Sequence, residues 1–132
     1  MSEIKAGEKL SLQKNVTREF LACEMGSGSV PVLATPAVVA FLEEACAALV
    51  SPSLPEGITT VGTRLELDHL CASAEGAPVR AEAELLEIDG RVSRFRVAAY
   101  DNAGLIAEGK HERVSVKAER FVEKARERAR KS

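Results

Sequence analysis

Residues 36–50 run from Pro36 through Ala37, Val38, Val39, Ala40, Phe41 and Leu42 to Val50, and at helical pitch they are apolar around almost the whole circumference. A helix of that kind must be enclosed by other structure, because no face of it suits water. Thr35 before Pro36 is the pairing expected when Thr caps a helix and Pro occupies its first turn, so the spacing predicts a helix over 36–50. Its only charges are Glu43 and Glu44. The residues three and four positions from Glu43 are Val39, Ala40, Cys46 and Ala47, so at least one carboxylate is expected in apolar surroundings.

What encloses the helix is legible downstream. After Pro52 and Pro55 the chain alternates with period two up to about 117, with turn signals between segments. Val61, Thr63, Leu65, Leu67 and His69 are expected on one face of a first strand, and Val79, Ala81, Ala83 and Leu85 on one face of a second. Asp89-Gly90 is a strong hairpin signal. Ser93, Phe95, Val97 and Ala99 continue a third strand, Asn102-Ala103-Gly104 turns, and a fourth strand covers 105–117. Upstream, residues 10–22 read as a strand region and 26–29 as a flexible Gly-Ser loop. A strand, a long helix, four strands and a terminal helix define an α+β chain in which one antiparallel sheet wraps a buried helix. The 132 residues are expected to form a single domain, 1–132.

Composition narrows the function. With 45% hydrophobic residues the chain can bury a core, which argues against disorder, and a net charge of −2 offers no field for nucleic acid. The charge is uneven: residues 117–131 carry a net +4, leaving −6 elsewhere. Phe121, Val122, Ala125 and Ala129 give this tail a narrow apolar stripe, and it reads as a docked amphipathic helix with a solvated charged face. Cys23, Cys46 and Cys71 are an odd number with no Cys-x-x-Cys pair, so neither a disulfide framework nor a zinc ribbon is expected. No signal peptide is evident, and no run approaches the about 18 apolar residues of a membrane span. The expectation is a cytoplasmic protein without membrane contact.

Few residues carry usable chemistry. His69 ends the apolar face of its strand, where an imidazole could carry protons at neutral pH, and Glu43 is the candidate partner. A carboxylate drawn out of water would serve as base or nucleophile, whereas the simpler alternative pairs Glu43 with an arginine. Glu44 is the weaker candidate. Cys71, two residues beyond His69, and Cys46, near Glu43, allow a Cys-His nucleophile, although both read more simply as small core residues. His111 reads as a surface or structural residue. The Gly26-Ser27-Gly28 loop lacks the lysine-bearing helix start of a phosphate cradle.

The stretch Val32-Leu33-Ala34-Thr35-Pro36-Ala37-Val38-Val39-Ala40-Phe41-Leu42-Glu43-Glu44-Ala45-Cys46, followed by Gly62, His69 and Gly109-Lys110-His111-Glu112-Arg113, resembles the hotdog-fold acyl-CoA thioesterases of the fluoroacetyl-CoA thioesterase-like group. The resemblance rests on the ordered set Thr35, Glu43, Gly62, His69. It implies a sheet curled round a central helix and a homodimer, or a tetramer, with active sites at the subunit interface. It also implies hydrolysis of an acyl-CoA with Thr35, Glu43 and His69 catalytic and Gly62 beside the thioester carbonyl; no cofactor is expected, and no metal either, because the spacing of His69, Cys71 and Cys46 matches no ligand pattern. Contacts to the CoA phosphates could come from Arg64, Lys110, Arg113 or the basic tail. The fluoroacetyl-specific enzyme carries an aromatic-rich lid before its threonine, whereas residues 22–34 here contain no Phe, Tyr or Trp, so a different acyl preference is expected. A non-catalytic acyl-CoA or acyl-carrier binding module and a hotdog enoyl-thioester hydratase are the alternatives. The first would release no thiol, and the second lacks an Asp-x-x-x-x-His spacing in the 64–75 region.

Overall fold

The β1 strand (Lys9–Asn15) leads through two short helical turns, Arg18–Phe20 and α1 (Ala22–Met25), to the long helix α2 (Thr35–Val50). Then come β2 (Ile58–His69), β3 (Pro78–Asp89), β4 (Val92–Asp101), β5 (Gly104–Lys117) and the terminal helix α3 (Ala118–Ala129). This is a computed structural model, and it describes residues 4–131. The five strands form one antiparallel sheet in the order β1-β3-β4-β5-β2, so β1 and β2 are its edges.

The alternation read from the sequence places the core. Val79, Ala81, Ala83 and Leu85 of β3 and Phe95, Val97 and Ala99 of β4 are all buried on the face that meets α2. The helix answers with Ala37, Val38, Phe41, Leu42, Ala45, Cys46 and Val50. Each large side chain buried in this way contributes about 1.5–3 kcal/mol. Phe20 closes the open end, its ring edge-on to Phe41 with centroids 4.9 Å apart. Gly90 (φ +62°) makes the Asp89 hairpin, and Asp101 Oδ1 accepts the Ala103 N–H (2.8 Å) in the next turn. Gly109 is needed for a different reason: a Cβ there would collide with the Glu66 carbonyl of β2, so only glycine lets the strands pair.

Five expectations are corrected. Strand β1 stops at Asn15, and residues 18–25 are short helical turns ended by Gly26 in the left-handed region (φ +78°). In β2 the five residues Val61 to His69 do not share a face, because a β-bulge between Gly62 and Arg64 absorbs one residue. Before the bulge Thr60 and Gly62 look toward the helix; after it Leu65, Leu67 and His69 do. Thr35 does not cap α2. The position before the helix is Ala34, no side chain caps it, and the Thr35 hydroxyl bonds elsewhere. The stripe on α3 is not buried, since Phe121 and Val122 remain 44% and 45% exposed. Finally, Thr35–Ser53 is, at 19 residues and a mean hydropathy of 1.3, long and apolar enough by composition to cross a membrane. Here its apolar side chains are those that meet the sheet, which is why a core helix passes the same test.

Candidate active site

Two clusters lie along the seam between α2 and β2. The first joins the start of the helix to the end of the strand, where Thr35 Oγ1 and His69 Nδ1 share a hydrogen bond of 2.7 Å. Backbone pairing sets this distance. Leu33 N–H donates to the Ser73 carbonyl (2.9 Å) and Ala34 N–H to the Phe20 carbonyl (2.8 Å), which fixes the segment before Thr35. Beyond His69, Leu70 N–H donates to the Ile106 carbonyl (2.7 Å), and the Ser73 hydroxyl donates to Asp101 (2.7 Å). That bond, chiefly, holds the Asp101 carboxyl below its ordinary value. The His69 Nε2 atom is buried and has no partner among the described residues. Around the pair opens a cleft of ≈ 310 Å³ walled by Val30, Val32, Leu70 and Cys71.

The second cluster is charged. Glu43 Oε2 lies 3.6 Å from Arg113 Nη1, the carboxylate being 40% exposed and the guanidinium 9%. Arg113 Nε donates to Thr60 Oγ1 (2.9 Å) and Nη2 to the Thr60 carbonyl (3.0 Å). Nη1 also donates to His111 Nε2 (3.2 Å), while His111 Nδ1 donates to the Arg64 carbonyl (2.7 Å). That assignment makes the imidazole neutral, in keeping with burial and the Arg113 charge, which together hold His111 below the usual histidine value. Gly62 completes the cluster: a Cβ there would stand 2.5 Å from Glu43 Oε2, so the missing side chain leaves the carboxylate its place against the strand.

Of the residues singled out in the sequence, Thr35 and His69 come together, and so do Glu43, Gly62 and Arg113. The expected pairing of Glu43 with His69 does not occur within the chain. Eight residues of helix put about 12 Å between Thr35 and Glu43 along the axis. Glu43 takes the arginine partner instead, and Glu44 turns outward to Lys14 (2.6 Å). Arg113, expected among the phosphate contacts, is buried with its donors engaged, and Arg64 is ion-paired with Glu66. His111 is no surface residue, being 2% exposed. Nothing in the sequence marks Thr60, which binds Arg113 through both its hydroxyl and its carbonyl. A signal for His111 and Arg113 was present, because they follow Ala107 and Gly109 in the odd-numbered alternation of β5. Cysteine chemistry gains nothing: burial pushes the Cys46 thiol up to about 12, and Cys71 is exposed on the cleft wall.

A hydroxyl–imidazole pair can relay a proton, and a carboxylate against a bare stretch of strand can meet an electrophilic carbon. On a sheet wrapped round a helix, this places the molecule among the hotdog-fold thioesterases. Residues 16–119 match the family model of FlK, the fluoroacetyl-CoA-specific thioesterase. The fluoroacetyl-CoA thioesterase of Streptantibioticus cattleyicolor is 35% identical over 97 residues, 74% of this chain and 70% of that protein. A crystal structure of an FlK variant superposes with a TM-score of 0.92 at 28% identity, covering 97% of this chain and 99% of the other. A Thermus thermophilus hypothetical protein, described as a thioesterase superfamily member, superposes at 0.89 with 31% identity over 100% of both chains. The chain belongs to the fluoroacetyl-CoA-specific thioesterase family, and it is a thioesterase.

Proposed function

We propose that this chain, as one hotdog domain, forms a homodimer that hydrolyses an acyl-CoA to the free acid and CoA, each active site joining the Thr35–His69 cluster of one protomer to the Glu43 cluster of its partner. The acyl-CoA substrate rests on family membership and on the relative named for fluoroacetyl-CoA. The observation that carries the rest is the separation of the two clusters on one chain, with His69 Nε2 unpartnered among the described residues. A two-fold partner added along the free edge of β2 would bring unlike clusters together, since such an axis pairs each surface with its counterpart.

In that site Glu43 takes the proton of the water that attacks the thioester carbon, or attacks that carbon itself, in which case water then hydrolyses the mixed anhydride to free acid and restores the carboxylate. Gly62 leaves room for the carbonyl beside it, and Arg113 holds the carboxylate in position. His69 delivers a proton to the departing sulfur, with Thr35 orienting the ring through Nδ1. Nothing in the residues 22–34 before Thr35 reproduces an aromatic lid, which supports a substrate other than the fluorinated acyl group.

Glu43→Gln and His69→Ala should each lower kcat by about 10³-fold in a thiol-release assay with the fold intact. Mixed dimers holding one chain of each variant should regain about half the wild-type rate, because one of the two sites is then whole. Inactive mixed dimers would refute the shared site, and near-normal turnover by either variant alone would remove that residue from the mechanism.

A further inference from the structure

A cavity of ≈ 440 Å³, larger than the cleft at Thr35 and His69, lies between α3 and the end of the sheet. An amphipathic helix ordinarily turns apolar residues toward the sheet it lies on. Here the face toward the cavity is Lys117, Arg120, Phe121 and Lys124, spaced i, i+3, i+4 and i+7, and Arg91 approaches from the β3–β4 turn. Ile58 and Val116 supply apolar walls. None of the four cations has an ion-pair partner among the described residues, whereas Arg126 and Arg130 farther along the same helix pair with Glu123. Like charges gathered round an aromatic ring and an apolar wall suit a ligand that is both polyanionic and flat.

The position supplies the second argument. Ile58 lies four residues before Gly62 on β2, and Lys117 four residues beyond Arg113 on β5, each pair facing each other across the ladder. Both intervals precede the bulge, so Ile58 and Gly62 share the helix-facing side. The cavity therefore begins about 13 Å along the sheet from Glu43 and Gly62. The arm between the sulfur and the first phosphate of CoA spans about 15 Å at the pitch of an extended backbone. Of the other cations expected to meet phosphate, Arg64 is tied to Glu66 and Arg113 is buried.

We infer that the groove between α3 and the β2–β5 edge binds the nucleotide end of the acyl-CoA, with Arg91, Lys117, Arg120 and Lys124 on its phosphates and Phe121 against the adenine. This rests on the acyl-CoA reading above and adds to it a nucleotide-recognition site distant from the bond that is cleaved.

The test compares an acyl-CoA with the same acyl group on pantetheine, which lacks the nucleotide, using the full chain and an Arg120→Ala/Lys124→Ala double variant. With acyl-CoA the variant should show KM raised by about tenfold or more and kcat changed by less than about twofold, as expected when binding contacts remote from the reacting bond are lost. With acyl-pantetheine, KM should differ by less than about twofold between the proteins. Added salt should raise the wild-type KM for acyl-CoA and affect the variant less. Equal effects on both substrates, or no effect on either, would overturn the assignment. If neither substrate is turned over by the wild type, the catalytic reading fails by itself, and calorimetry with adenosine 3′,5′-bisphosphate then decides the groove. Binding to the wild type that is weakened about tenfold in the variant upholds it, and no binding ends it.

Discussion

Thr35 meets His69 through one hydrogen bond between a hydroxyl and an imidazole at the rim of an open cleft, whereas farther along the same helix Glu43 meets a buried cation already held by Thr60 and His111. Both clusters bridge α2 and β2, yet they are built to different tolerances. At the rim, the backbone bonds of Leu33, Ala34 and Leu70 fix the geometry, and the side chains add little to the fold. In the middle, the side chains are the structure. Removing one member strands several polar atoms away from water, and such atoms are costly when unpaired.

The largest difference should appear on truncating the buried cation. Arg113→Ala leaves Thr60, His111 and Glu43 without their common donor, and urea unfolding should show a loss of about 3 kcal/mol. A loss below about 1 kcal/mol would mean that water enters and replaces the guanidinium. Thr35→Val should behave in the opposite way. The hydroxyl does not cap α2, so stability should move by less than about 0.5 kcal/mol, while kcat falls by about tenfold through the loosened imidazole. A stability loss near the about 1 kcal/mol of a lost cap would restore Thr35 to the capping role the sequence suggested.

The smallest effect concerns acid. Burial and the Arg113 charge depress the folded-state value of His111 below the about 6.5 of an exposed histidine. Between those two values the unfolded chain binds more protons than the folded one, so stability rises with pH there. The contribution is complete above about pH 6.5 and is lost as pH falls toward the folded-state value. Denaturation midpoints should therefore decline between about pH 7 and 5, and a His111→Asn variant should show a shallower decline. Equal slopes would dissociate this imidazole from the acid sensitivity.

Much of the fold could be read directly. The four strands after the helix, the Asp89-Gly90 hairpin and the enclosed helix follow from periodicity, because burial on one face imposes period two on a strand. The site was legible as a set of residues and not as a set of contacts. Thr35, Glu43, Gly62 and His69 stand out in the sequence, and so does an arginine as the alternative partner of Glu43, but nothing there shows that this arginine is Arg113, which reads as a phosphate contact and is buried instead. The bulge after Gly62 accounts for part of this. It reverses the parity of β2, so residues of opposite parity, Gly62 and His69, both look at the helix, and the isolated Gly62, which is a local sign of a bulge, does not by itself say that the register shifts there.

The amino-acid sequence by itself determined which segments form the later strands, where their hairpins turn, which helix is enclosed, and that a carboxylate would be carried on an otherwise apolar rod. Those properties are local or periodic, and each is written in the spacing of side chains. Only the tertiary structure decided that the Thr35 hydroxyl goes to His69 instead of a helix end, that Arg113 is drawn inward to Glu43, and that the cations of α3 converge on a groove. Each depends on groups far apart in the chain competing for the same donor, acceptor or space, and that competition is settled only when the sheet closes round the helix.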